Sequence, residues 1–599
     1  MKTESISTKV LIIGGGGAGL RAALAASDAL TPVDVLLVSR GALGRSGCTA
    51  LAYSDRMAFH VALPTTPPGG DASWRAHADD IYRIGGEVSD YRLAEIIAKN
   101  GAQAFDYLVK LGVPFKRRDD GTPDQFITDG SVYPRACYTG PDTAVQIEKA
   151  LLHEFARRGL KAVTGWSVVR ILMNKGEAAG AAFLSGDGRM LVVSASAVII
   201  ATGGPGGVFF HNAYPGGMTG EGHRAALLAG ASLVNMEFIQ LGICSVATKL
   251  ACSGSLFRAL PRIVDGSDRE ILPPFLGTDW PRLAEITFRK GASWPVNADE
   301  PTFMLDVAAA LAVAEGRKVY LDYSRPSSLE NRELTPDLSN FHREGALSTL
   351  RLSTPIDRLR AINPLVIAWF KKRGIDLETG GKIEVAPSAQ HFQGGIHIGP
   401  DGSTLVPGLY SCGEAAGGQH GANRPGGNAL LDTQVMGRIA GESAAQFASG
   451  RALKKARVGK DAKHEAARLC SLDAYALGTL LKEVRRTIGT SAGVIRRENA
   501  LASGLNELVD IESRLADMRS GQNHSGAGLL GLSVLSAVTV GKAVLSAATE
   551  RAETRGPHIR FPENSLTPLP RDPKMSRRWV IIHADVDGSL LTYWADCHR

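Results

Sequence analysis

The chain has 599 residues, 44% hydrophobic and 21% charged, which is enough for several domains around a large buried core. A formal net charge of +7 without a long basic tract excludes a nucleic-acid-binding footprint. The seven cysteines are scattered and form no CxxC pair, which excludes a disulfide scaffold, a metal site or an iron–sulfur cluster on these residues and points to a reducing cytoplasm.

The opening MKTESISTKV is polar and runs directly into a strand, so no signal peptide is expected. Lys9 to Ile13 reads as a short apolar strand, followed by Gly14-Gly15-Gly16-Gly17-Ala18-Gly19 and an alanine-rich helix. Gly14, Gly16 and Gly19 therefore form GxGxxG in its proper context of strand, turn and helix, which seats a pyrophosphate on the helix N-terminus. A second strand, Val33 to Val38, ends in Ser39-Arg40. That is about 20 residues past the last glycine, where an NAD-binding chain carries an acid for the ribose. Ser39 in its place argues against NAD. Ala197 to Gly204, AVIIATGG, reads as a buried strand entering a turn.

From about Cys244 to Arg351 the glycine and strand signals give way to proline, charge and mixed patterns. Gly408 to Leu431, GLYSCGEAAGGQHGANRPGGNALL, is glycine-dense and is built around Glu414, His420 and Arg424. Such a backbone can approach a flat or charged ligand and point N–H groups at it. From about Arg438 to Arg555 the pattern is helical, with Leu477, Leu480, Leu481 and Val484 on one face. The long apolar stretch Leu529 to Ala548 carries Ser533, Ser536, Thr539 and Lys542 as a polar stripe. It reads as an amphipathic or buried helix with no direct membrane span. Beyond His558 the tail reads as short and irregular.

HGANRPGGN (His420 to Asn428) and GLYSCGE (Gly408 to Glu414) resemble the flavin- and carboxylate-binding segments of the succinate dehydrogenase/fumarate reductase flavoprotein family. ATGG at Ala201 to Gly204 is similar to the family's adenine-side turn. Thr219 to Gly222 matches TGDG with Glu221 for aspartate, Met236 to Gln240 matches MEFxQ, and Glu553 to His558 resembles ESRGAH. The resemblance implies an α/β fold, with a Rossmann-like FAD-binding domain, an inserted α+β capping domain and a helical domain after it. The implied segments are 1–244 and 352–443 for the flavin domain, 245–351 for the cap, 444–555 for the helices and 556–599 for the tail. FAD contacts are implied at Gly14, Gly16, Gly19, Ser39, Arg40, Ser46, Gly47, Cys48, Thr49, Ala201, Thr202, Gly203, Glu221, Glu414, Asn428, Ala429 and Leu430. Covalently linked members carry RSHT, whereas this chain reads Arg45-Ser46-Gly47-Cys48-Thr49. A histidyl link is excluded and non-covalent FAD is expected, with a Cys48 thioether as the alternative.

In the family a carboxylate is held by the histidine of PTxHYxxGG and the arginine of HGANRxGG. Pro387 to Gly395, PSAQHFQGG, is read with His391 in the first role, and Arg424 takes the second. The other half departs. Gly242 stands where FHPT supplies a histidine, Gly254 to Arg258 is all that answers LITEGxR, and Leu305 replaces the cap arginine of RDVV. Candidates to carry the substrate proton are Arg258, Arg262, Glu237 and, should burial raise its pKa, Asp55 in Ala52-Tyr53-Ser54-Asp55.

The expected function is an FAD-dependent oxidoreductase acting on a CH–CH unit beside one carboxylate, on a substrate other than fumarate. Electrons would pass to a partner, an iron–sulfur subunit of the kind that the tail from Arg577 to Trp594 resembles a docking element for. The expected location is the cytoplasm, with membrane association only through a partner subunit. The alternatives are a stand-alone oxidase resembling L-aspartate oxidase and an inactive FAD-binding structural paralogue. Adenylylsulfate reductase stands further off, because MEFxQ and HGANRPGG point to the carboxylate branch.

Overall fold

The computed structural model describes residues 2–128, 130–330, 350, 352–453, 455–518, 526–585 and 588–598. Residues 331–349 and Arg351, in the expected capping segment, lie outside the described residues. A five-stranded parallel sheet runs in the order Leu409–Ser411, Ala197–Ile200, Val10–Ile13, Val35–Ser39, Lys161–Thr164. Its central strands are almost purely aliphatic and buried throughout, as a parallel sheet covered on both faces requires. Alternate residues divide between two cores. Val10, Ile12 and Ile199 pack under helices, while Leu11, Ile13 and Val198 face the second sheet of Thr3–Ser7, Met190–Ser194, Glu177–Ser185 and Trp166–Asn174.

The helices on the first face are Gly17–Ala29 and Asn428–Ala448. They approach backbone to backbone: a Cβ on Gly441 would lie 2.4 Å from Ala22 O. Small residues here bring the N-termini of both helices to the same end of the sheet.

The capping region is built on an antiparallel sheet in the order Ile239–Ser245, Ile383–Phe392, Val319–Asp322, Arg262–Asp265. One hydrophobic cluster runs from Ile243 to Val385. It takes in Leu359, Val366 and Phe370 from helices Pro355–Ile362 and Pro364–Lys371, so cap packing continues past residue 351. The cause is the strand Ile383–Phe392, which pairs with the flavin-domain strand on one side and a cap strand on the other.

Helices Lys460–Cys470, Ala474–Ser491, Glu498–Asp517 and Ala527–Glu550 form the helical region, and Leu477, Leu480, Leu481 and Val484 are buried in it. The last helix is long and apolar enough to cross a bilayer, but 72% of its most apolar window is buried inside the protein. The tail is not irregular. Arg578–Ala584 and Leu590–Asp596 pair as a hairpin that joins Leu233–Val234 and Gly395–His397 in a further sheet. Val580 and Ile582 enter the main core while Trp579 and Ile581 pack with Val234 and Phe238, so both faces of this strand are covered. The continuous apolar run Trp579 to Ile582 is the mark of that environment.

Candidate active site

Ile13, Ser39 and Ile200 end their strands side by side, and the chain leaves each into the wall of one cavity of about 580 Å³. Parallel α/β sheets take their ligands at this end. Gly14 has φ +117°, and a Cβ on it would meet Ala201 O at 2.2 Å, so the turn admits only glycine. A Cβ placed on Gly16 would meet only Thr49 Oγ1, at 3.8 Å, so its backbone lies open to the cavity it lines. The N-termini of Gly17–Ala29 and Asn428–Ala448 both reach this wall, and neither N-cap glycine, Gly16 or Gly427, carries a side-chain cap. Thr49 Oγ1 accepts from Gly17 N at 3.2 Å. The two helix dipoles and their remaining first-turn amides suit a pyrophosphate.

Every expected contact lines this cavity except Gly19 and Asn428. Gly19 packs behind the turn, where a Cβ would strike Gly14 O at 2.0 Å. The Asn428 side chain points away, and its Oδ1 accepts from His60 Nδ1 at 2.7 Å and His77 Nε2 at 3.0 Å. Burial lowers both imidazoles, His77 to about 3, and keeps them neutral donors. Arg40 Nη1 donates to Glu221 Oε1 at 2.5 Å, and that oxygen also accepts from Thr219 Oγ1 and from Ser533 Oγ of the long apolar helix. Glu414 accepts from the Tyr214 hydroxyl and from Phe392 N at 2.9 Å, and burial raises its carboxyl to about 7. Cys48 Sγ lies 3.8 Å from Met218 Sδ, and burial followed by the Glu414 charge pushes its thiol well above the usual range.

Arg424 lines the same cavity and is fixed from two sides. Its Nη2 donates to Gln240 Oε1 at 3.0 Å and its Nη1 to Pro425 O at 2.9 Å. Gln240 in turn donates through Nε2 to Asn423 Oδ1 at 2.7 Å and Arg424 O at 2.9 Å. The last residue of MEFxQ thus orients the guanidinium, a role its motif did not reveal. His391 lines the cavity, with its ring 5.9 Å from that of His420. Burial, then the Arg424 charge, lower both imidazoles, His420 to about 3.

The anchor position itself belongs to the neighbouring residue. Counted from Pro387 and from Gly394-Gly395, the pattern PTxHYxxGG puts Gln390 at its histidine and His391 one place later. Gln240 pairs with His391 and Leu241 with Ala389, leaving Gln390 as a bulge between them. A bulge frees one residue from the alternation of the strand. This is how consecutive residues Gln390 and His391 both come to face the cavity. Gln390 Oε1 is buried without a protein partner.

The degraded half of the site has been rebuilt. A Cβ on Gly242 would lie 2.7 Å from Trp294 Cζ2 and 2.8 Å from Cε2, so the indole covers the place of the missing histidine. Trp294 also lines the cavity, and its Nε1 donates to Ile243 O at 2.9 Å. Leu305 is buried in the cap core, and the adjacent Asp306 pairs with Lys290 at 2.5 Å, both fully buried. Of the expected proton carriers, Arg262 is bound to Asp322, at 2.9 Å, and to neighbouring acids on the cap sheet. Glu237 is bound to Arg551, at 2.6 Å, and neither it nor Arg262 lines the cavity. Asp55 lines it, but its Oδ2 accepts from Ser255 N at 2.8 Å and Ser255 Oγ at 2.9 Å, and its Oδ1 from Ser253 Oγ. That geometry fastens the flavin domain to the cap loop. Arg258 lies on the cap and lines the cavity.

The family described as FAD binding domain matches residues 9–259 and 304–430, and the one described as fumarate reductase flavoprotein C-term matches 481–580. The chain belongs to the succinate dehydrogenase/fumarate reductase flavoprotein family. One fumarate reductase (CoM/CoB) subunit of Methanothermobacter marburgensis is 29% identical over 94% of this chain and 96% of its own length. L-aspartate oxidase of Streptomyces coelicolor is 28% identical over 99% of this chain and 94% of its own. The solved Mycobacterium smegmatis Sdh1 in complex with UQ1 superposes with a TM-score of 0.79 at 25% identity, covering 100% of this chain and 95% of that one. The protein is accordingly an FAD-dependent oxidoreductase of this kind, and the glycine turn, the two uncapped helix ends and Glu414 fit the dinucleotide.

Proposed function

We propose that this flavoprotein transfers a hydride to or from the carbon chain of a substrate held by one carboxylate, and that the substrate is not fumarate. The observation that carries the reading is the Arg424 guanidinium, held by Gln240 and Pro425 at the end of a cavity that continues into the dinucleotide cradle. Bound FAD supplies the two-electron chemistry. Arg424 offers a charge-assisted donor to the carboxylate, and the Gln390 amide and neutral His391 stand beside it on the bulged strand. Reduction of a C=C bond adds a hydride to one carbon and a proton to its neighbour, and oxidation removes the same pair. Arg258 is proposed to carry that proton on a guanidinium N–H, since Leu305 stands at the cap arginine position and Asp55 is committed to Ser253 and Ser255. The high-lying Cys48 thiol supports FAD held without a thioether, because the thiolate is the reactive form.

Electrons are proposed to leave through a partner protein, and the likeness to a relative named as one subunit of its enzyme supports this. The test is anaerobic bleaching and reoxidation of the bound flavin with mono- and dicarboxylates. Arg424→Ala should lower kcat/KM by about 100-fold, the scale of two lost charge-assisted hydrogen bonds. Equal rates in variant and wild type would sink the carboxylate clamp, and a flavin that no carboxylate reduces or reoxidises would favour the inactive paralogue. A stand-alone oxidase is the second reading, favoured by the full-length likeness to L-aspartate oxidase. Peroxide formed by the isolated chain would select it.

A further inference from the structure

Gly242 lies two residues from Gln240 on the strand Ile239–Ser245, so both point to the same face of the sheet. One pleat repeat, about 7 Å, separates them. A ligand whose carboxylate sits at Arg424 therefore meets, one repeat along, whatever covers Gly242. In this chain that is the indole of Trp294, seated so closely that no side chain larger than hydrogen fits at 242. The indole has already given its one donor to Ile243 O, so what it presents to the cavity is apolar ring. Ala292, Pro295, Tyr53 and Ile362 line the same cavity, and Arg258, whose Cγ lies 3.0 Å from a Cβ placed on Gly291, is the cation that borders this stretch of wall. Tyr53 is itself backed by Trp369, with ring centroids 5.3 Å apart. A second carboxylate set against the indole face would lose hydration to apolar ring and compete for the one Arg258 guanidinium that the proton step uses, whereas an apolar group would be buried there at a gain.

From this juxtaposition we infer that the substrate is an α,β-unsaturated monocarboxylate, or its saturated counterpart, bearing an aromatic or bulky apolar group on the β-carbon, with Trp294 as the residue that selects it. The inference rests on the proposed carboxylate clamp and adds the class of substrate. Gly242 and Trp294 form one device: the glycine is the space the indole needs, and the indole replaces a polar anchor with a flat hydrophobic wall. Offset or edge-to-face packing of a substrate ring on the indole adds to area burial.

The FAD-loaded chain is titrated anaerobically with phenylpropanoate, succinate and propanoate, and binding is read from the flavin difference spectrum and from tryptophan fluorescence. The wild type should bind phenylpropanoate at least about tenfold more tightly than succinate. Trp294→Ala should erase most of that preference while propanoate binding stays within about twofold, and Trp294→Phe should keep it. Gly242→Ala, which drives a methyl into the indole, should weaken phenylpropanoate selectively with the flavin still bound. Succinate binding equal to or tighter than phenylpropanoate overturns the inference, as does a preference unmoved in Trp294→Ala. Arg424→Ala separates the two levels of failure. If it weakens all three acids while the preference runs toward succinate, the clamp stands and only the substrate class is wrong. If no acid perturbs the flavin in the wild type, the clamp itself fails and the substrate class falls with it.

Discussion

Arg424 and Glu414 sit in a dense, ordered motif, and the structure brings both to the cavity. Counted along its motif the histidine position is Gln390, and the bulge brings the next residue, His391, to the cavity as well, which the linear pattern does not show. Trp294 gave no signal at all, since its meaning depends on Gly242, a strand residue far away in sequence. Glu414 offers a test at this scale. Its unfolded carboxyl titrates near 4.5 and its folded one at about 7, because burial disfavours the charge. Between those values the folded chain holds a proton that the unfolded chain has lost, so its contribution to stability falls as pH rises through the window and levels off above it. FAD-free Glu414→Gln lacks this slope. Its stability should therefore rise relative to wild type between about pH 5 and 8, by at most ~3 kcal/mol, read as a growing difference in Tm. A constant Tm difference across that range would remove the effect.

At the scale of elements, periodicity and punctuation were reliable where one side of an element is buried. The strand–glycine–helix start and the helical face of Leu477 to Val484 are examples. The tail hairpin was missed because a strand covered on both faces shows no alternation, and its partners Leu233–Val234 and Gly395–His397 come from distant segments. Trp579 is its anchor, fully buried with Nε1 donating to Val88 O at 2.8 Å. Trp579→Ala should cost about 3–5 kcal/mol through lost burial and the cavity left behind. Thermal unfolding of the FAD-loaded protein measures this, and a loss below about 1 kcal/mol would mean that the hairpin is dispensable to the fold.

Across the whole molecule, buried charge ties the parts together. Arg551 reaches from the end of the long apolar helix to Glu237 beside the carboxylate strand and to Glu553, which also holds Arg555. Glu221 joins Arg40 of the dinucleotide cradle to Ser533 of that same helix. Between the flavin domain and the cap, the corresponding tie is Asp55. Asp55→Ala leaves Ser253 and Ser255 without their acceptor and should lower Tm by an amount consistent with about 1–3 kcal/mol. Asp55→Asn keeps an acceptor oxygen, so it should lose less and leave the pH profile of turnover in place. A shifted profile in that variant would return Asp55 to the role of proton carrier. The fold as a whole was readable because its motifs lie on the dinucleotide half. The cap was not, because its boundaries are set by strand pairing across the chain.

The sheet under the cap has one more consequence. The strand that starts with Ile239-Gln240 ends at Ser245 in cap packing, and the strand that starts at Ile383 in the cap ends in His391-Phe392. Gln240 and His391 are thus joined to the cap-packed residues Ile243 and Val385 through the same two paired strands. A substitution that loosens this packing, such as Val385→Ala, is therefore expected to weaken carboxylate binding as well, read from the flavin titration, and an unchanged affinity would show that the two ends act independently.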